Sequence, residues 1–152
     1  MSIDARLTEL GITLPEVAKP VASYVPATVS GSLVFTSGQL PTTAGVLPAT
    51  GKVGGEVSAE DAAGYARTAV LNALAAVKAE IGSLDRITKV VKLVVFVSST
   101  PDFTGQPAVA NGASNTLKEI FDAVGVHARS AVGVPVLPLD APVELELIVE
   151  FA

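Results

Sequence analysis

The segment HARSAVGVPVLPLDAPVELELIVEF, residues 127–151, concentrates side chains that an otherwise apolar chain could use for chemistry. Arg129 stands near the start of one apolar run, and Glu144, Glu146 and Glu150 punctuate the next. A planar guanidinium meets a carboxylate through two parallel hydrogen bonds, so Arg129 suits the grip of a small carboxylate. A glutamate on an adjacent strand could hold water and act as general base, then acid. Strand alternation offers a plainer account. In VELELIVEF, Val143, Leu145, Leu147, Val149 and Phe151 share one face, while Glu144, Glu146, Ile148 and Glu150 share the other, as on a solvated sheet face. Arg129 fits equally well as the surface ion-pair partner of a neighbouring strand's glutamate, which adds little stability. Spacing alone leaves both readings open.

Composition narrows the chemistry. The chain has no cysteine and a single histidine, His127, so thiolate nucleophiles, disulfides and cysteine-ligated metals are excluded and a structural metal site is not expected. Catalysis would fall to carboxylate, hydroxyl, amide, arginine or water. A formal net charge of −5 without a Lys/Arg cluster argues against a nucleic-acid partner. The N-terminal MSIDARLTELG lacks the apolar stretch of a signal peptide, and KVVKLVVFV is short and punctuated by lysines. No run approaches the roughly 18 to 20 apolar residues of a membrane span, so a soluble, cytoplasmic protein is expected. Only 16% of residues are charged against 49% hydrophobic, which leaves too little polar surface to cover a monomer and points to subunit contacts.

The elements that must position these residues follow from periodicity. Ser2 caps a short helix over residues 2–10 that Gly11 stops, and Pro15 and Pro20 impose an extended linker. YVPATVSGSLVFTS reads as a hairpin turning at Ser30-Gly31, and GQLPTTAGVLPATGKVGGE as a long loop over 38–57. Ser58 opens a long amphipathic helix with apolar residues from Ala62 to Ile81, ended by Gly82. A central strand spans 87–99, a second helix about 107–122, and strands about 128–134 and 142–151 close the chain around LPLDAP. The order β-β-α-β-α-β-β, with right-handed crossovers, predicts one α+β domain over 1–152: a mixed sheet with two helices packed on one face.

Four motifs in this order, TSGQLP (36–41), VVFVSSTPDF (94–103), ARSAVGV (128–134) and VELEL (143–147), resemble the RidA/YjgF family of enamine/imine deaminases, formerly described as L-PSP endoribonucleases. The N-terminal extension, residues 1–22, and the 38–57 loop are longer than in the short prototypes and resemble a longer subgroup. The resemblance implies a chorismate-mutase-like fold, a homotrimer with clefts between subunits, and no cofactor. It implies hydrolysis of reactive 2-aminoacrylate-type enamines or imines to 2-ketoacids and ammonia. By the same resemblance Arg129 falls on the substrate-carboxylate arginine and Glu144 on the water-activating carboxylate. Tyr24 and Ser37, thirteen residues apart, fall on the pocket tyrosine and serine; Gly38 falls on a close backbone approach, and Asn111, with Asn115 as rival, on the pocket asparagine. Ala131 replaces the usual cysteine two residues after the arginine, which changes pocket volume, and His127 replaces a usual proline.

Four functional readings follow, in falling order. The first is an imine/enamine deaminase with Arg129 and Glu144 as the working pair. The second is a non-catalytic trimer that holds a small carboxylate as a sensor or regulator, which Ala131 and the extended loop favour. Endoribonuclease activity ranks third, because the acidic composition opposes it, and chorismate-mutase activity, suggested by fold alone, ranks lower still.

Overall fold

The computed structural model describes residues 1–17, 19–20 and 22–152. In chain order it contains helix α1 (Ile3–Glu9), strands β1 (Ala27–Ser30) and β2 (Leu33–Thr36), helix α2 (Ala59–Ile81), strand β3 (Ile87–Ser98), helix α3 (Gln106–Phe121), and strands β4 (Ala128–Val134) and β5 (Val143–Phe151). Short 3-10 turns that the periodicity did not signal occupy Leu84–Arg86, Asp122–Gly125 and Pro138–Asp140. Of the expected extended linker, positions 18 and 21 lie outside the described residues.

The helix ends obey local chemistry. Ser2 accepts a 3.1 Å hydrogen bond from Ala5 N and Ser58 accepts one of 3.1 Å from Asp61 N, each satisfying an otherwise unpaired N–H of the first turn. Gly82, at φ +85°, takes up the positive-φ conformation that ends α2.

The five strands form one mixed sheet in the order β1-β2-β5-β3-β4. All neighbours are antiparallel except β3 and β4, which α3 joins as a parallel crossover pair. Val143, Leu145, Leu147 and Val149 of β5 share the buried helix-facing side with Val90, Leu93, Val95 and Val97 of β3. Onto this layer α2 presents Ala62, Ala66, Ala69, Val70, Ala73, Leu74 and Val77, all fully buried. Alanine at successive turns lets the helix axis lie close to the sheet and to α3. Closest of all, Gly112 of α3 sits where any Cβ would overlap the carbonyl of Ala63 in α2. Among the described residues the opposite sheet face carries no helix, and Phe35 and Val132, which have its side-chain phase, are exposed.

The 38–57 segment contains no helix or long strand, as expected, but it is tied down at several points. Asn72 of α2 donates to the carbonyls of Leu40 (2.9 Å) and Thr42 (3.0 Å), and Val53 is fully buried with its N–H bonded to Ser98 O at 2.7 Å. Among the described residues no helix is long and apolar enough to cross a membrane.

Substituting Gly112→Ala should destabilise the fold by about 1–3 kcal/mol, because the added methyl meets backbone rather than a movable side chain. Urea unfolding reads this directly. An unchanged midpoint would show that α2 and α3 can separate freely at this crossing.

Candidate functional site

Parallel pairing decides which way Arg129 points. Leu93 pairs with Arg129 and Val95 with Ala131, and paired residues on neighbouring strands project to the same side. Arg129 and Ala131 therefore face the helices, Ala131 packing against the core and Arg129 turning to α3 at the sheet edge. One guanidinium nitrogen, Nη1, donates to Asn111 Oδ1 at 2.8 Å and to Ser114 Oγ at 3.2 Å. Those two bonds use both Nη1 hydrogens and leave the Nε and Nη2 edge without a partner among the described residues, a free fork of the shape a carboxylate accepts. Among the described residues the ion pairs are Arg6 with Glu9, Arg67 with Glu119 and Lys78 with Asp4, and none joins Arg129 to a strand glutamate.

Ser114 links the arginine to the single histidine. His127 Nδ1 lies 2.6 Å from Gly125 O, which can only accept, so Nδ1 carries a proton. In the neutral ring Nε2 then accepts from Ser114 Oγ at 2.9 Å, leaving the hydroxyl's lone pairs toward Arg129. Gly125 reaches this position because it lies against Leu117 O, where a Cβ would not fit. Ser114, Asn115, Lys118, His127 and Arg129 line one open cavity of about 330 Å³. Asn111 bonds the guanidinium, while Asn115 forms part of the cavity wall. Sequence reasoning did not single out Ser114 or Lys118, although their spacing from Asn111 along α3 places all three on one helix stripe.

Glu144 belongs to a second cluster. It pairs with Phe96 and projects to the face without helices, together with Glu146. Between β2 and β5 the pairing moves from Phe35 with Ile148 to Gln39 with Leu145, so β2 holds one extra residue across this interval. Such a bulge re-aims the backbone. Thr36 Oγ1 bridges the irregularity by accepting from Leu147 N at 3.0 Å, and Gly38 comes to lie beneath Glu144, where a Cβ would overlap the carboxylate. Gly38 thus leaves room for the Glu144 carboxylate in this position and has no unusual backbone angle. Burial, and then the nearby Glu146 charge, push the Glu144 carboxyl above its ordinary range.

Ser37 directly precedes Gly38 of this second cluster. Ser37 Oγ donates to Val25 O at 2.6 Å and its N–H to Pro26 O at 2.8 Å, which pins the chain immediately after Tyr24. Tyr24 itself is exposed. The interval of thirteen residues between them is therefore a hairpin closure, with Ala27 opposite Thr36.

One expectation is corrected. Arg129 and Glu144 do not stand on adjacent strands, because β3 lies between β4 and β5, and within one chain they face opposite sides of the sheet. Their strands are about 10 Å apart, two strand spacings. The sequence order of β4 and β5 concealed this, since the intervening strand precedes both. Among the described residues, no three His, Asp or Glu side chains converge as a metal-binding set.

Comparison with known proteins places these residues in context. A family model described as "YjgF/chorismate_mutase-like, putative endoribonuclease" matches residues 4–151. Protein TCP17 of Trypanosoma cruzi is 43% identical over 149 residues, covering 97% of this chain and 93% of the relative. A crystal structure of an Agrobacterium tumefaciens protein of unknown function is 46% identical with a TM-score of 0.92, covering 99% of this chain and 92% of the other. Escherichia coli TdcF, solved with bound serine, is 28% identical with a TM-score of 0.61, covering 91% of this chain and 94% of that one.

The raised Glu144 carboxyl sets a stability test. A folded-state value above the unfolded one means that ionisation costs the native state, so this contribution to stability falls as pH rises from the ordinary carboxylate range and stays lost above the folded value. Glu144→Gln should then be more stable than the parent at pH 7 by less than about 1 kcal/mol, the half-exposed group retaining part of its hydration. At pH 4 the gap should close. Urea titrations at both pH values check this; an equal gap at each would assign the difference to packing.

Proposed function

Because this chain belongs to the YjgF/chorismate-mutase-like family, we propose that it hydrolyses small enamines or imines bearing a carboxylate, releasing 2-ketoacids and ammonia. The observation that supports this best is Arg129, which lines an open cavity and whose Nη1 is occupied by Asn111 and Ser114 while its Nε and Nη2 edge has no partner among the described residues. A substrate carboxylate docking on that edge gains two charge-assisted hydrogen bonds and a fixed orientation. The bound serine of TdcF is likewise a small molecule carrying a carboxylate.

The protonatable partner is Glu144, a half-buried carboxyl that burial and the Glu146 charge hold above its usual range, which makes it a better proton acceptor than an ordinary carboxylate. It would remove a proton from water as the oxygen attacks the imine carbon, forming the tetrahedral carbinolamine. The same carboxyl would then return a proton to nitrogen and take the carbinolamine hydroxyl proton as the C=O bond forms, so that the C–N bond breaks and ammonia leaves with both protons of the water. Water and imine are converted to ketone and ammonia with no redox partner.

Since one chain turns Arg129 and Glu144 to opposite sides of the sheet, the working site requires the Glu144 face of one copy to meet the Arg129 edge of another. A homotrimer supplies such clefts, and the exposed Phe35 and Val132 on or beside the face without helices are suited to burial there. A second reading, carboxylate binding without turnover, draws on Ala131, which offers no reactive group beside the arginine. The acidic chain weighs against RNA as substrate.

In the deciding experiment, an amino-acid oxidase or a pyridoxal-phosphate lyase generates imines from several amino acids and ketoacid release is followed. The protein should accelerate release, and Arg129→Ala should lower that acceleration about 10- to 100-fold, the loss expected for charged hydrogen bonds. Failure of the parent protein with every imine would sink the deaminase reading. Thermal stabilisation by 2-ketoacids, lost in Arg129→Ala, would then support binding alone.

A further inference from the structure

The cavity beside Arg129 holds a second cation that the proposed reaction does not use. Asn111, Ser114, Asn115 and Lys118 follow one another at helical spacings, so a single polar stripe of α3 runs along the start of β4. Lys118 is exposed, lines the same cavity as Arg129, and has no carboxylate within 4.0 Å among the described residues. No Asp or Glu contributes to that cavity wall. Glu119 and Asp122 line an adjoining depression with Lys118, and the Glu119 carboxylate is taken by Arg67 at 3.1 Å. His127 is engaged on both ring nitrogens, by Gly125 O and Ser114 Oγ, and so holds the arginine in place through Ser114.

Two unpaired cations in one wall repel each other and gain when an anion with two charged ends bridges them. Resting on the reading of Arg129 as the carboxylate holder, we infer that this site prefers 2-imino and 2-oxo dicarboxylic acids, with Arg129 taking the carboxylate next to the reacting carbon and Lys118 the distal one. A monocarboxylic acid of the same length would leave Lys118 unmatched. The preference is electrostatic at an exposed group, so it should be modest and sensitive to salt.

A matched ligand pair tests this: 2-oxopentanedioate and 2-oxopentanoate differ only in the distal carboxylate. Calorimetric titration of the full-length protein at low ionic strength should show the dicarboxylate binding about 3- to 10-fold more tightly. That ratio should fall towards one in Lys118→Met, survive in Lys118→Arg, and shrink in 0.5 M salt. Equal affinities in the parent protein, or a ratio that survives Lys118→Met, would overturn the dicarboxylate preference while leaving the Arg129 reading intact. Binding of neither ligand, or binding that Arg129→Ala does not weaken, would remove both.

Discussion

The parallel register between β3 and β4 governs the rest of the site. With Leu93 opposite Arg129, the arginine inherits the side-chain phase of a buried core position and must leave the sheet on the helix side. A slip of one residue would exchange its face for that of Ser130 and carry the guanidinium away from α3. The register holds because Val95 and Val97 are fully buried on the same side. Core packing in the middle strand thus sets the direction of a charged group on the edge strand.

Once the guanidinium faces α3, polar satisfaction determines its posture. Asn111 and Ser114 take its Nη1 hydrogens, His127 takes the Ser114 hydroxyl, and the Gly125 carbonyl orients the imidazole. The chain of contacts depends on two close backbone approaches: Gly112 against Ala63, which places α3, and Gly125 against Leu117, which places the carbonyl under the ring. Glu144 is organised by another device, a one-residue bulge after Phe35 that brings Gly38 beneath its carboxylate. Space left by glycine therefore shapes both clusters.

Much of the architecture was legible in the sequence because its signals are local. Ser58 and Gly82 bracket α2, alternation in VELELIVEF separates buried from open faces, and β-branched residues mark β3. The short 3-10 turns escaped notice because three or four residues carry too little periodicity. Motif resemblance singled out Arg129, Glu144, Gly38 and Asn111. It could not show that Gly38 lies against Glu144, or that Asn111 bonds the guanidinium while Asn115 lines the cavity.

By itself the sequence determined which residues could bind a carboxylate or move a proton, the element order, and the alternation that sets Glu144 apart from the core. Tertiary structure alone decided that β3 lies between the strands carrying Arg129 and Glu144, that the two face opposite ways, and that Lys118 shares a cavity with the arginine. The reason is physical. Caps and periodicities act over a few residues, whereas strand order and register are set by contacts between segments remote in sequence, where burial of the whole core selects one pairing.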